Sequence, residues 1–196
     1  MICLDNITKA YGDHTVLHNF SLTVNEGEHI AIMGKSGKGK TTLLRIIADL
    51  ETPDSGSISG FTKEDISYVF QESRLFEHLT VLDNVAVVCD QPLKEARIEA
   101  MKYLDAVGLS DSAELFPSEI SGGMAQRVAI VRALIRNTPI LLMDEPFSAL
   151  DNTTRNGMLL LLCDLCRDKT LLLVTHDPFD ARMIANHIID LDSISE

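Results

Sequence analysis

Apolar and polar positions change rhythm several times along the chain, and each change marks an element. Residues 2–33 carry the period of β structure. Phe20, Leu22 and Val24 alternate with polar neighbours, and Gly12-Asp13 and Asn25-Glu26-Gly27 mark turns. Ile30-Ala31-Ile32-Met33 is apolar throughout, as in a short strand buried on both faces. Thr42 to Ala48 then reads as a helix, Pro53-Asp54-Ser55-Gly56 as a turn, and Ile66 to Phe70 as a strand ending at Gln71. Between 72 and 120 the rhythm changes. No strong buried strand is predicted, while Leu93, Ala96, Ala100, Leu104 and Val107 recur at helical spacing with Gly108 placed to cap. Met124, Val128, Val131 and Ile135 form the face of a second helix, for which Ser121 is an N-cap. Strands return with Pro139 to Met143 and Thr170 to Thr175, separated by a helix through Met158, Leu161, Leu162 and Leu165. Asp177 and Pro178 suit the N-cap and first turn of a helix, and His187 to Leu191 reads as a last strand. The pattern predicts an α/β core with a helical lobe inserted into it.

The stretch Gly34-Lys35-Ser36-Gly37-Lys38-Gly39-Lys40-Thr41-Thr42 lies between the buried strand and the first helix. It fits the phosphate-binding pattern G-x-x-x-x-G-K-[ST], and the strand–loop–helix context fits as well. Gly34, Gly37 and Gly39 leave room for backbone N–H groups to point at phosphate oxygens, and the helix start adds unpaired donors. Lys40 would reach the β- and γ-phosphates, and the Thr41 hydroxyl would ligate Mg²⁺. A nucleoside triphosphate is the expected ligand.

Other candidates surround this loop in sequence. Asp144 and Glu145 follow an apolar strand, where two acids are costly unless metal or solvent pairs them. Asp144 is placed to hold Mg²⁺, and Glu145 to orient or deprotonate a water. His176 ends the next strand and can contact a γ-phosphate; a lone His is otherwise structural. Gln71, at a strand's carboxyl end, can reach a metal or the attacking water, but the same residue suits a plain surface. Tyr11 is open to two roles, strand packing or a stacking face for adenine. Ser121-Gly122-Gly123 at a helix start is a second anion site or only a capped loop. Asp151 can begin the following helix.

Composition narrows the classes. At 196 residues with 45% hydrophobic side chains, the chain suits one α/β core with a small lobe. The net charge of −12 repels nucleic-acid backbones and anionic lipid, so no nucleic-acid partner is expected. No apolar run is long enough to cross a bilayer and the start lacks a basic leader region, so a cytoplasmic location is expected, with any membrane role supplied by a partner chain. Cys163 and Cys166 form a Cys-x-x-Cys inside an apolar helical pattern, and we read them, with Cys3 and Cys89, as reduced thiols.

In this order, over nearly the whole length, the motifs resemble the nucleotide-binding subunits of ATP-binding cassette (ABC) transporters: Tyr11, residues 34–42, Gln71, residues 121–127, Asp144-Glu145, Ser148-Ala149-Leu150-Asp151 and His176. Ile120 replaces the usual Leu before Ser-Gly-Gly, and Asp49 stands where Gly is common. The resemblance implies a P-loop NTPase (RecA-like) core with an antiparallel β subdomain and an inserted helical subdomain. Residues 1–71 and 137–196 would form the core and residues 72–136 the helical part of a single domain. It implies ATP and Mg²⁺ as cofactors. Tyr11, Gly34, Ser36, Gly37, Lys38, Gly39, Lys40, Thr41 and Thr42 would bind nucleotide. Ser121, Gly122 and Gly123 would bind it from the facing subunit, and Asp151 would be a further nucleotide-binding residue. Glu145, His176 and Gln71 would be catalytic, with Thr41, Gln71 and Asp144 at the metal. It also implies a homodimer closed by ATP, integral membrane permease partners, a substrate-binding protein, and a place on the cytoplasmic face of the membrane. The stretch from Phe70 to Leu75 and the signature Gly122 to Arg127 look most like the nitrate, sulfonate and taurine importers. Exporter, lipoprotein-release and cell-division cassettes are the alternative. A soluble cassette of DNA repair or translation fits less well. The early end of the chain implies a subunit without accessory regulation.

Overall fold

Three strands open the chain: β1 (Ile2–Tyr11), β2 (His14–Val24) and β3 (His29–Met33). Helix α1 (Lys40–Ile47), β4 (Ser55–Ser59) and β5 (Ile66–Val69) follow. After α2 (Val81–Ala86), α3 (Leu93–Ala106) and α4 (Gly122–Ile135) come β6 (Ile140–Asp144), α5 (Asn152–Leu165), β7 (Thr170–Val174), α6 (Pro178–Ile184) and β8 (His187–Asp190). These elements belong to a computed structural model that describes residues 1–193. The chain divides into two units, one of Met1–Tyr68, Thr138–Glu145 and the stretch from Cys166 on, the other of Val69–Asn137 and Pro146–Leu165.

The described residues form two sheets. One is antiparallel in the order β2-β1-β4, and the other runs β5-β6-β7-β3-β8, with β3 parallel to both β7 and β8 and β6 parallel to β7. The strands β6 and β7 are buried at every residue, which is why Ile140–Met143 and Leu171–Val174 are unbroken apolar runs rather than alternating ones. Helix α1 packs Leu43, Leu44, Ile46 and Ile47 into one core with Ile2, Ile7 and Phe20 of the antiparallel sheet and Ile32, Leu142 and Leu172 of the parallel one. Each such side chain stabilises by about 1.5–3 kcal/mol on burial. The helix that begins at the phosphate loop is thus anchored along its length.

The second unit is largely helical. Ala96, Ala100 and Leu104 form the buried stripe of α3, and the chain leaves that helix through Gly108 at φ 67°. Helix α4 buries Gln126, Val128, Ala129, Ile130, Val131, Ala133 and Leu134, so it is enclosed on most sides rather than on one face. Asn84 is fully buried; its amide accepts from the Phe76 N–H and donates to the carbonyls of Phe76, Leu79 and Thr80.

Several expectations need correction. Ser55 and Gly56 lie in strand β4, not in a turn: Ser-Gly-Ser-Ile-Ser has no apolar alternation, and its strand conformation comes from pairing with β1. Leu93 is 58% exposed at the start of α3, and Leu159 rather than Leu165 is buried on α5. Among the described residues no helix is long and apolar enough to cross a membrane.

Candidate active site

The phosphate loop is built as its sequence predicts. Between β3 and α1 the chain passes through Gly37 and Gly39, both left-handed at φ 83° and 84°. Gly39 is doubly required. A Cβ there would stand 2.7 Å from the Val16 carbonyl oxygen as well as strain the backbone. Lys40, the first residue of α1, donates from Nζ to the carbonyls of Gly34 and Lys35 at 2.7 and 2.9 Å. Its ammonium therefore bridges the loop's first residues, poised over the space the loop encloses. Gly34, Ser36 and Lys38 lie in that loop, and Thr41 and Thr42 in the first turn of the helix.

Two acids stand at the end of β6. Asp144 is buried, 3% exposed, and accepts a hydrogen bond from the Thr41 hydroxyl at 3.1 Å. Burial pushes its carboxyl above the usual range, while Thr41, Arg45 and Lys40 pull it back. A threonine hydroxyl and a carboxylate are hard oxygen donors that suit Mg²⁺, so this pair fits the metal that phosphate binding calls for. Glu145, the next residue, has a left-handed backbone at φ 46°, and its N–H donates to the Val174 carbonyl at 2.9 Å. That conformation is uncommon for a residue with a Cβ and is held by the β6–β7 pairing. It aims the carboxylate at His176, whose Nδ1 is 2.8 Å from Glu145 Oε2. His176 itself is exposed after the end of β7.

Apart from Tyr11, the remaining candidates lie in the other unit. Gln71 directly follows Phe70, whose carbonyl accepts from the buried Gln126 amide at 3.1 Å. Arg132, further along α4, donates to the carbonyls of Ser73 and Arg74. The segment carrying Gln71 is thus tied to the helix that carries the signature. Ser121 caps that helix, its Oγ accepting from the Met124 N–H at 3.3 Å. Gly122 faces open space, whereas a Cβ at Gly123 would come 3.1 Å from the Ala149 carbonyl oxygen. The signature and the Ser148–Asp151 stretch are therefore packed together. Asp151 starts α5, accepting from the N–H groups of Thr153 and Thr154 and the Thr154 hydroxyl, and these bonds hold its carboxyl below the usual range.

Sequence reasoning missed part of the surroundings. A cavity of about 710 Å³ is lined by Val16, Leu17 and His18 of β2 together with Ser36, Gly37 and Lys38 of the phosphate loop. Tyr11, at the end of β1 and 48% exposed, pairs in register with His14, another lining residue. Nothing in the β2 sequence marks it as a neighbour of the loop, since the proximity arises only from folding.

The family profile described as ABC transporter matches residues 17–148. The chain belongs to the ABC transporter family. As a member it binds ATP with Mg²⁺ and hydrolyses it. It is 46% identical to the thiamine import ATP-binding protein ThiQ of Haemophilus influenzae, over 91% of this chain and 88% of that protein. It is 44% identical to the aliphatic sulfonates import ATP-binding protein SsuB 1 of Agrobacterium fabrum, over 95% of this chain and 69% of that one. Among solved structures it resembles the dimeric post-hydrolysis state of the ATP-binding cassette MJ0796 bound to ADP and Pi. The TM-score is 0.89 at 36% identity, covering 97% of this chain and 94% of that one.

Proposed function

We propose that this chain is the ATP-hydrolysing subunit of a bacterial importer, and that two copies, or one copy with a related subunit, close on ATP to energise transport through integral membrane permease subunits. It would act on the cytoplasmic face of the membrane, with a substrate-binding protein delivering a small solute. The observation that carries the catalytic half is the adjacency of Asp144, bonded to Thr41, and Glu145, bonded to His176, at the tip of one strand. One acid serves the metal side and the next serves the water.

The roles follow from the chemistry of each group. Bound Mg²⁺ offsets charge on the β- and γ-phosphates. Lys40 exchanges the Gly34 and Lys35 carbonyls for phosphate oxygens, and the loop N–H groups donate to them. Glu145 orients a water, or takes its proton, and His176 holds that carboxylate in place and meets the γ-phosphate. Gln71, on the segment held by Gln126, keeps the metal- or water-contacting role that the family resemblance implies for it. Ser121, Gly122 and Gly123 act on the nucleotide of the facing subunit. Because the Ser121 oxygen accepts from Met124, its hydroxyl hydrogen remains available to donate to an anion. The open space at Gly122 leaves that helix start approachable.

For the solute, the similarity to an aliphatic sulfonates importer and the signature pattern support an oxyanion such as a sulfonate, taurine or nitrate. Similarity to a thiamine importer supports a second reading, because the solute is chosen by the partner chains. The test is ATPase activity of the complex reconstituted with its co-purified membrane chains and binding protein. Stimulation by an alkanesulfonate, taurine or nitrate, with none by thiamine, supports the first reading. Stimulation by thiamine alone overturns it.

A further inference from the structure

We propose that Lys9 and Glu51 are positioning residues for Tyr11, fixing its ring as the face on which the adenine of ATP stacks. The inference rests on reading Tyr11 as the base platform, and goes beyond it by naming what holds the platform still.

Lys9 and Tyr11 are two residues apart on β1 and so share one face of the strand. The Lys9 ammonium lies over the Tyr11 ring, 5.3 Å from its centroid. That ammonium is pinned. It is 2.8 Å from Glu51 Oε1, 3.6 Å from Asp54 Oδ1, and donates to the Thr52 carbonyl at 2.8 Å. Asp54 is held in turn, accepting from the Ala10 N–H at 2.7 Å and donating its own N–H to the Thr8 carbonyl at 2.8 Å. The segment 51–54 is thus stapled to the end of β1 on both sides of Lys9. The Lys9 ion pair holds the Glu51 carboxyl below the usual range, and the Tyr11 hydroxyl contributes to the same shift.

The contrast in exposure gives the arrangement a purpose. The Lys9 side chain is 12% exposed, yet Tyr11, whose ring it holds, is 48% exposed. A cation over one face of a ring attracts its π-electrons, restrains its rotation and leaves the opposite face for a flat ligand. Glu51 also lies just beyond α1, whose other end is the phosphate loop. The residue that anchors the base platform therefore follows directly on the helix that starts at the phosphate loop.

The test is calorimetric titration of the full chain with ATP and, separately, with tripolyphosphate, which has no base. Lys9→Met should weaken ATP binding roughly three- to tenfold, the range of a partly desolvated cation–ring contact, and leave tripolyphosphate binding unchanged. It should add nothing in a Tyr11→Ala background, and Lys9→Arg should restore most of the loss. Wild-type ATP affinity in Lys9→Met, an equal loss for tripolyphosphate, or full additivity with Tyr11→Ala would each overturn the proposal. If Tyr11→Ala itself binds ATP like the wild type, the platform reading falls and the proposal with it. A loss in Tyr11→Ala but none in Lys9→Met removes this proposal alone. Should Lys9→Met fail to fold by circular dichroism, Glu51→Gln, which keeps the Lys9 charge but loosens its anchor, is judged by the same criteria.

Discussion

The roles we assign to Lys40, Asp144 and Glu145 rest on what surrounds each side chain. Lys40 bridges two loop carbonyls that phosphate oxygens would replace, so Lys40→Ala should abolish measurable ATPase activity while the buried face of α1 keeps the fold. Asp144 presents the opposite balance. Burial raises its carboxyl above the ordinary range, so the folded chain holds a proton that the unfolded chain releases. Stability therefore falls as pH rises from the ordinary carboxylate range into the raised one, and the charged form is a burden at neutral pH. Asp144→Asn keeps an oxygen to accept from Thr41 and removes that burden. We expect the nucleotide-free protein to melt at a higher temperature than the wild type at pH 7, and to lose the further Mg-ATP-dependent rise. Differential scanning fluorimetry across pH 4–8 (about that range suffices for a carboxyl) checks both parts. The motifs at this scale were legible because each needs fixed spacing within a few residues. The left-handed backbone of Glu145 was not, since it depends on the Val174 carbonyl across the sheet.

At the scale of elements, periodicity identified what packing alone decides and missed what pairing decides. The buried strands β6 and β7 and the stripe Ala96, Ala100, Leu104 follow from their own sequences. Strand β4 does not, because its conformation is imposed by β1, and the six residues of α2 are too few to show a period. The Lys9–Glu51–Asp54 staple was likewise hidden, since its members meet only when the segment after α1 returns to β1. Helix α4 supplies the test at this scale. Its Gln126 is buried and satisfies the Phe70 carbonyl, so Gln126→Leu leaves that carbonyl without this bond at a cost of about 1–3 kcal/mol in urea unfolding. If the bond also positions Gln71, kcat should drop while ATP affinity stays near wild type. Unchanged kcat in a folded variant would confine Gln126 to a structural role.

At the scale of the whole molecule, helices begin at Lys40 after Gly39 and at Gly122 after the cap Ser121, and we read both starts as anion sites. Our account assigns them to different ATP molecules in a closed pair of subunits. The net charge of −12 works against association of two copies, so in our reading the pair depends on specific contacts to nucleotide held from both sides. Gly122→Asp tests the second start: its side chain enters open space and leaves the fold intact, but sets a negative charge against the facing γ-phosphate. ATP affinity of the single chain should hold, and dimerisation should fail.

The most direct measurement is light scattering coupled to size-exclusion chromatography on Glu145→Gln, with and without Mg-ATP, together with its membrane partners where the isolated chain needs them. The substitution keeps the shape and the contact with His176 but removes the carboxylate to which we assign water activation. The account predicts a stable nucleotide-dependent dimer with hydrolysis nearly stopped, and no such dimer when Gly122→Asp is added. A Glu145→Gln protein that hydrolyses ATP at the wild-type rate, or a double variant that dimerises as readily as the single one, would contradict it.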